Sequence, residues 1–101
     1  MRVVWAPLAL ERAAEIARYI AADRPAGAAR WIDRLVQIVA TLRSQPRRGR
    51  RVPELDRDDV REVLHGEYRV IYRVDARRVV ILTVRHGRRQ FDPRELRSDD
   101  A

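Results

Sequence analysis

The chain has 101 residues, of which 22 are basic and 15 acidic, giving a formal net charge of +7 and a pI near 11.2. Every one of the 22 basic residues is arginine. The lack of cysteine excludes a disulfide scaffold, a thiolate metal site and a cysteine nucleophile, and no apolar run approaches the ~20 residues of a membrane span.

Arg2-Val-Val-Trp5 reads as a short strand closed by Ala6-Pro7, with Pro7 suited to the first turn of a helix. Ala9, Ala13, Ile16, Ala17 and Ile20 then recur at helical spacing against Glu11, Arg12, Glu15 and Arg18, predicting an amphipathic helix over 8–22. Asp23-Arg24-Pro25 interrupts it, with Asp23 a candidate N-cap for the next helix. That helix, over 25–44, has an apolar stripe of Ala28, Trp31, Ile32, Leu35, Ile38, Val39 and Leu42, and Trp31 is read as core within it. So short a break implies a helical hairpin. Residues 44–59 carry two prolines, a glycine and nine charges and read as a long loop.

Three strands follow: Val60–Leu64, Tyr68–Val74 and Arg78–Arg85, with turns at 65–67 and 75–77. A three-residue second turn would pair Tyr72 with Val80 and Val70 with Leu82. The core face would then be Tyr68, Val70, Tyr72, Val74, Val80, Leu82 and Val84, leaving Arg69, Ile71, Arg73, Val79, Ile81, Thr83 and Arg85 opposite. The order β-α-α-β-β-β predicts an α+β fold, a helical hairpin packed on one face of a mostly antiparallel four-stranded sheet. The other face is expected to show arginine and some aliphatic residues. Residues 1–91 are read as one cytoplasmic domain and 92–101 as a partly ordered tail, with no signal-peptide core at the start.

The positive charge is uneven. Residues 1–46 hold seven arginines against four acids, whereas Arg47-Arg48-Gly49-Arg50-Arg51 and the segment Arg85 to Arg89 are dense knots at loops or strand ends. Such a surface suits an acidic partner. Cross-strand pairing of Arg69 or Arg73 with Glu62, Glu67 or Asp75 is the structural alternative. Two histidines, His65 and His86, without cysteine do not make a metal site, and the four glycines form no phosphate loop, so no cofactor is expected.

Gly49-Arg-Arg-Val-Pro-Glu-Leu55, then Arg61, Gly66-Glu-Tyr-Arg-Val-Ile-Tyr-Arg-Val74 and Val84-Arg-His-Gly-Arg-Arg89 closely resemble the ParE toxins of the RelE/ParE superfamily. Trp5-Ala-Pro-Leu-Ala9 before the first helix resembles that family's opening, so the likeness spans about residues 2–91. It implies the toxin of a type II toxin–antitoxin module, a plasmid-stabilisation type of growth arrest that inhibits DNA gyrase by binding and is neutralised by a ParD-like antitoxin. The antitoxin would present an acidic or amphipathic segment, and any DNA contact would run through it. The alternative implied by the superfamily is a RelE-like, ribosome-dependent mRNA endonuclease, and a third reading is a non-toxic, antitoxin-binding relic. For RNA cleavage, Arg69, His86 and Arg89 are the catalytic candidates. The RelE-like tyrosine after the last strand has no counterpart beyond Tyr72, and arginine holds its proton too tightly to act as a base, so binding is favoured. The contact set expected from the likeness and the charge is Arg50, Arg51, Arg61, Arg69, Arg73, Arg85, His86, Arg88 and Arg89.

Overall fold

In the computed structural model, residues 1–87 and Arg94 are described. Alternating and β-branched segments build a sheet in the order β1-β5-β4-β3-β2, from β1 (Arg2–Trp5), β2 (Arg50–Arg51), β3 (Val60–His65), β4 (Tyr68–Val74) and β5 (Arg78–His86). β1 runs parallel to β5, and the other neighbours are antiparallel. Four strands were expected and five form. The extra one, β2, has two residues, pairing Arg50 with Glu62 and Arg51 with Arg61, and two residues are too few for a period to show.

Helices α1 (Pro7–Asp23) and α2 (Pro25–Ala40) pack as the hairpin, and a 3₁₀ turn (Thr41–Arg43) finishes the second. Both helices begin on proline, where the missing N–H has no intrahelical acceptor to lose. The predicted cap at Asp23 does not form. Asp23 is the last residue of α1, and Arg24 alone separates the helices, donating its N–H to Ile20 O at 2.8 Å while its carbonyl accepts from Ala28 N at 3.1 Å.

The register of β4 and β5 also differs from expectation. The connection is one residue longer, pairing Val74 with Val79 and Tyr72 with Ile81, and beyond it Ile71 pairs with Thr83 and Val70 with Val84. Leu82 is therefore the extra residue of a β-bulge. The bulge changes the face to which alternate residues of β5 point. Val79, Ile81 and Val84 join Val63, Val70, Tyr72 and Val74 under the helices, with Leu35, Ile38, Val39 and Leu42 above them. Val80 and Leu82 turn to the other face with Ala6, Val52, Val60 and Ile71. That second face was expected to show arginines among aliphatics. Instead it carries its own buried apolar layer, closed by Val52 and Leu55 from the segment between β2 and β3.

Two glycines are required where they stand. Gly66 has φ +58° at the first of the two residues joining β3 to β4, a conformation that L side chains rarely adopt. Gly49 lies so close to its surroundings that a Cβ would sit 2.5 Å from Glu62 O and 2.6 Å from the Tyr72 hydroxyl. The Gly49 N–H donates to that hydroxyl at 2.9 Å, so Tyr72, fully buried, ties the loop to the centre of the sheet.

Candidate functional site

The arginines of the loop and β3–β4 are organised first by the chain's own carboxylates. Glu62, with 1% of its surface exposed, accepts from Arg50 Nε at 2.6 Å and from Arg69 Nε at 2.7 Å. Arg69, 5% exposed, also places both Nη atoms on Glu54 at 2.7 Å each. A buried carboxylate is tolerated because two guanidiniums satisfy it, and losing either partner would leave charge in a poorly hydrated place. The hydrogen bonds from Arg69 hold the Glu54 carboxyl below its ordinary value, and the same bonds outweigh desolvation to raise the Arg69 guanidinium above its own.

Arg61 donates to Gly49 O at 2.9 Å and to Asp58 Oδ1 at 2.7 Å, Arg51 pairs with Asp56 at 2.9 Å, and Arg47 pairs with Asp58 at 2.7 Å. Arg50, Arg51, Arg61 and Arg69 are thus engaged in fastening residues 47–62 to the sheet. Arg73 lies half-buried near Asp59, whose carboxyl is lowered first by Arg57 and in smaller part by Arg73.

Arg85 and His86 lie beside that network, and Arg85 adds a smaller share to the lowering of the Glu54 carboxyl. At the far end of β5 they line a groove of about 620 Å³ with Val84, Tyr68 of β4, and Arg12, Glu15, Ile16 and Tyr19 of α1. Ile16 supplies apolar surface, with Val84 fully buried beneath, and Arg12 donates to Glu15 at 3.2 Å. Tyr19 is 77% exposed there. Behind the groove a run of rings carries the packing. His86 meets Tyr68 edge-on with centroids 5.6 Å apart, Tyr68 meets Trp31 edge-on at 5.5 Å, and Trp31 stacks on His65 at 5.2 Å. His65 Nε2 lies 3.0 Å from Trp31 O, so that nitrogen carries the proton it donates. Burial, then Tyr19 and Glu67 nearby, raises the Tyr68 phenol above its ordinary value. His86 Nε2 is 3.7 Å from a Glu67 carboxylate oxygen.

Among the described residues expected at the site, only Arg85 and His86 share this groove. Arg88 and Arg89 lie outside the described residues, as does the tail over 92–101 apart from Arg94. Sequence reasoning passed over Tyr19, Tyr68, Arg12 and Glu54. Tyr19 had a signal: an aromatic side chain just outside the apolar stripe of α1. Among the described residues no group of three or more His, Asp or Glu side chains could hold a metal, and no helix is long and apolar enough to cross a membrane.

A helical hairpin over one face of a mostly antiparallel five-stranded sheet, with a groove between α1 and β5, defines a small α+β protein of the ParE-like fold. Residues 3–91 match the model of the family described as "ParE toxin of type II toxin-antitoxin system, parDE", and the chain belongs to that family. A solved structure described as a chromosomal ParDE toxin–antitoxin system from P. aeruginosa has a similar fold. It superposes with a TM-score of 0.72 at 19% identity, covering 85% of this chain and 95% of that one. No curated protein matches the sequence. Family membership makes this a type II toxin with an antitoxin as its partner.

Proposed function

We propose that this toxin arrests growth by binding DNA gyrase, without cutting RNA, and that a ParD-like antitoxin neutralises it. The observation that carries this reading is the position of Arg69. RNA cleavage by 2′-OH attack needs cations that can receive the developing phosphorane charge. Arg69, the arginine matching the RelE-like strand motif, is instead buried and neutralised between Glu54 and Glu62. A guanidinium so placed holds a loop, with its Nε and both Nη atoms already directed at carboxylates.

The groove supports a binding role. The apolar surface of Ile16, the exposed Tyr19 ring and the cations Arg12 and Arg85 suit an amphipathic segment carrying acidic groups, the mode by which peptides enter such clefts. In this reading the antitoxin segment occupies the groove and competes with the toxin's target there.

The test is a gyrase supercoiling assay with the purified protein, alone and with its antitoxin, beside primer extension on a message translated in a cell-free system. Loss of supercoiling that antitoxin restores, with the message intact, supports the proposal. New 5′ ends at ribosomal A-site positions with unimpaired gyrase would sink it.

A further inference from the structure

The chain's arginines divide by whether a carboxylate meets them. Arg12, Arg47, Arg50, Arg51, Arg61, Arg69 and Arg78 all form ion pairs with side chains of this molecule. Arg30, Arg34 and Arg48 form none with the described residues: Arg34 donates to Gln37 Oε1 at 3.4 Å and Arg48 to Thr41 Oγ1 at 2.5 Å. Arg2, Arg18, Arg43 and Arg77 share this lack of a carboxylate; Arg18 lies on α1, while Arg2, Arg43 and Arg77 gather around the start of β1, where Arg2 N donates to Arg77 O at 3.3 Å and the amino terminus to Arg43 O at 2.9 Å.

Arg30, Arg34, Gln37 and Thr41 follow one another at intervals of four, three and four residues, so they lie in one row on the exposed side of α2 and its 3₁₀ extension. Arg48 closes the row, held there by the Thr41 hydroxyl, which itself donates to Ile38 O at 2.6 Å. The row is about 16 Å long at ~1.5 Å per residue. Asp33 is the acidic residue of α2, and it forms no ion pair with these arginines.

We infer that this row is a docking surface for the phosphate backbone of duplex DNA, touched directly by the toxin. Three features of the row select that partner. The row presents three cations and the Gln37 amide N–H, with Thr41 serving to hold Arg48 and no apolar residue among them, and phosphates are bound by such groups without apolar anchors. The exposed apolar side chains of α2, Ile32 and Val36, project more than a quarter-turn away, so an amphipathic acidic helix could not use both at once. Single strands are gripped by aromatic platforms between the cations, and the neighbouring Trp31 is stacked inward on His65. A straight, rigid row instead matches a rigid backbone carrying one charge per ~1.7 Å of axis.

The choice of DNA over duplex RNA rests on the gyrase reading, since a toxin bound to gyrase meets the duplex that gyrase holds. The test uses the purified toxin without antitoxin and a fluorescent 20-bp DNA duplex of arbitrary sequence, titrated at several salt concentrations. The wild type is expected to bind with a steep salt dependence. The variant Arg30→Gln/Arg34→Gln/Arg48→Gln should lower the slope of log K against log salt by about 2–3, at roughly 0.9 for each phosphate no longer neutralised. Arg34→Gln alone should lower it by about 0.9 and serves if the triple variant fails to fold. The control Arg47→Gln, removing a cation already paired with Asp58, should leave the slope in place. An unchanged slope in the row variants, tighter binding to an RNA duplex of the same sequence, or a loss confined to antitoxin affinity would each overturn the inference. Gyrase inhibition is measured on the same samples. Inhibition without arginine-dependent DNA binding defeats this inference alone, and DNA binding without inhibition defeats the gyrase reading alone.

Discussion

Arg69 in β4 grips Glu54 in the loop before β3 with two parallel hydrogen bonds of 2.7 Å each, while its Nε reaches Glu62 at 2.7 Å. One guanidinium therefore fastens the covering loop to the sheet and neutralises a carboxylate buried inside it. Arg69→Ala is expected to cost about 3–5 kcal/mol, because it strands Glu62 with Arg50 as its remaining partner. Glu54→Gln should cost about 1–2 kcal/mol, since it weakens one charge-assisted pair and strands no buried charge. Urea denaturation measures both. If the two variants lose the same stability, Arg69 does not serve two carboxylates.

Gly49→Ala tests the close approach of the loop to Tyr72. Its new methyl would meet Glu62 O at 2.5 Å and the Tyr72 hydroxyl at 2.6 Å, so β2 must shift, at a cost of about 1–3 kcal/mol. Tyr72→Phe keeps the packing but leaves the Gly49 N–H without its acceptor, a loss of about 1–3 kcal/mol. Thermal melts of the two variants check this. An unshifted midpoint in both would remove the tether from the account.

Stability should fall in acid through identified carboxyls. Arg69 holds Glu54 below its ordinary 4.5 and Arg57 holds Asp59 below 3.8, while the backbone N–H of Arg77, then Arg78, hold Asp75 down at about 2. In each case the unfolded chain takes up protons before the folded one. The stabilisation is thus complete above the ordinary values and disappears as the pH falls through the folded ones. Calorimetry is expected to show a level midpoint down to about pH 5 and a decline below it, shallower in Glu54→Gln. An acid limb equally steep in that variant would contradict the role given to Glu54. On the alkaline side, burial raises the Tyr72 phenol, so its contribution holds below its ordinary 10.0 and fades as the pH climbs through the raised value.

Tyr19 offers the cleanest probe of the groove, since its side chain is largely exposed and its removal should leave the fold intact. Tyr19→Ala is expected to weaken antitoxin binding about tenfold, or ~1.4 kcal/mol, the scale of an aromatic anchor. Isothermal titration with the antitoxin measures it. Unchanged affinity in a folded variant would move the antitoxin's seat elsewhere.

Most of the architecture could be read from periodicity. Ala9 to Ile20 and Ala28 to Leu42 mark the two helices, and the alternation of Tyr68 to Val74 marks the central hairpin. What stayed hidden depends on single residues with no period. Leu82 reverses the face of β5, yet a bulge within a run of Val, Ile and Leu leaves no trace when every residue is apolar and both faces are buried. Arg69 takes Glu62, the partner the strand sequence offers, but its second partner Glu54 sits 15 positions earlier, in a stretch that reads as a solvated loop. At the groove, the motif supplied Arg85 and His86, but Tyr19 and Arg12 arrive from α1 through the hairpin's angle over the sheet, which no local pattern specifies.

The strand order has a consequence for the moment of synthesis. β5 lies between β1 and β4, so the first strand made has no neighbour in the sheet until the last described strand has appeared. Arg2 must wait for Arg78, and closing so long a loop is entropically unfavourable until the contacts on both sides of β5 form together. A growing chain that ends before β5 has the helices and the β3–β4 hairpin but neither the centre of its core nor one wall of its groove. The groove is therefore complete only when translation has passed β5, the last described strand.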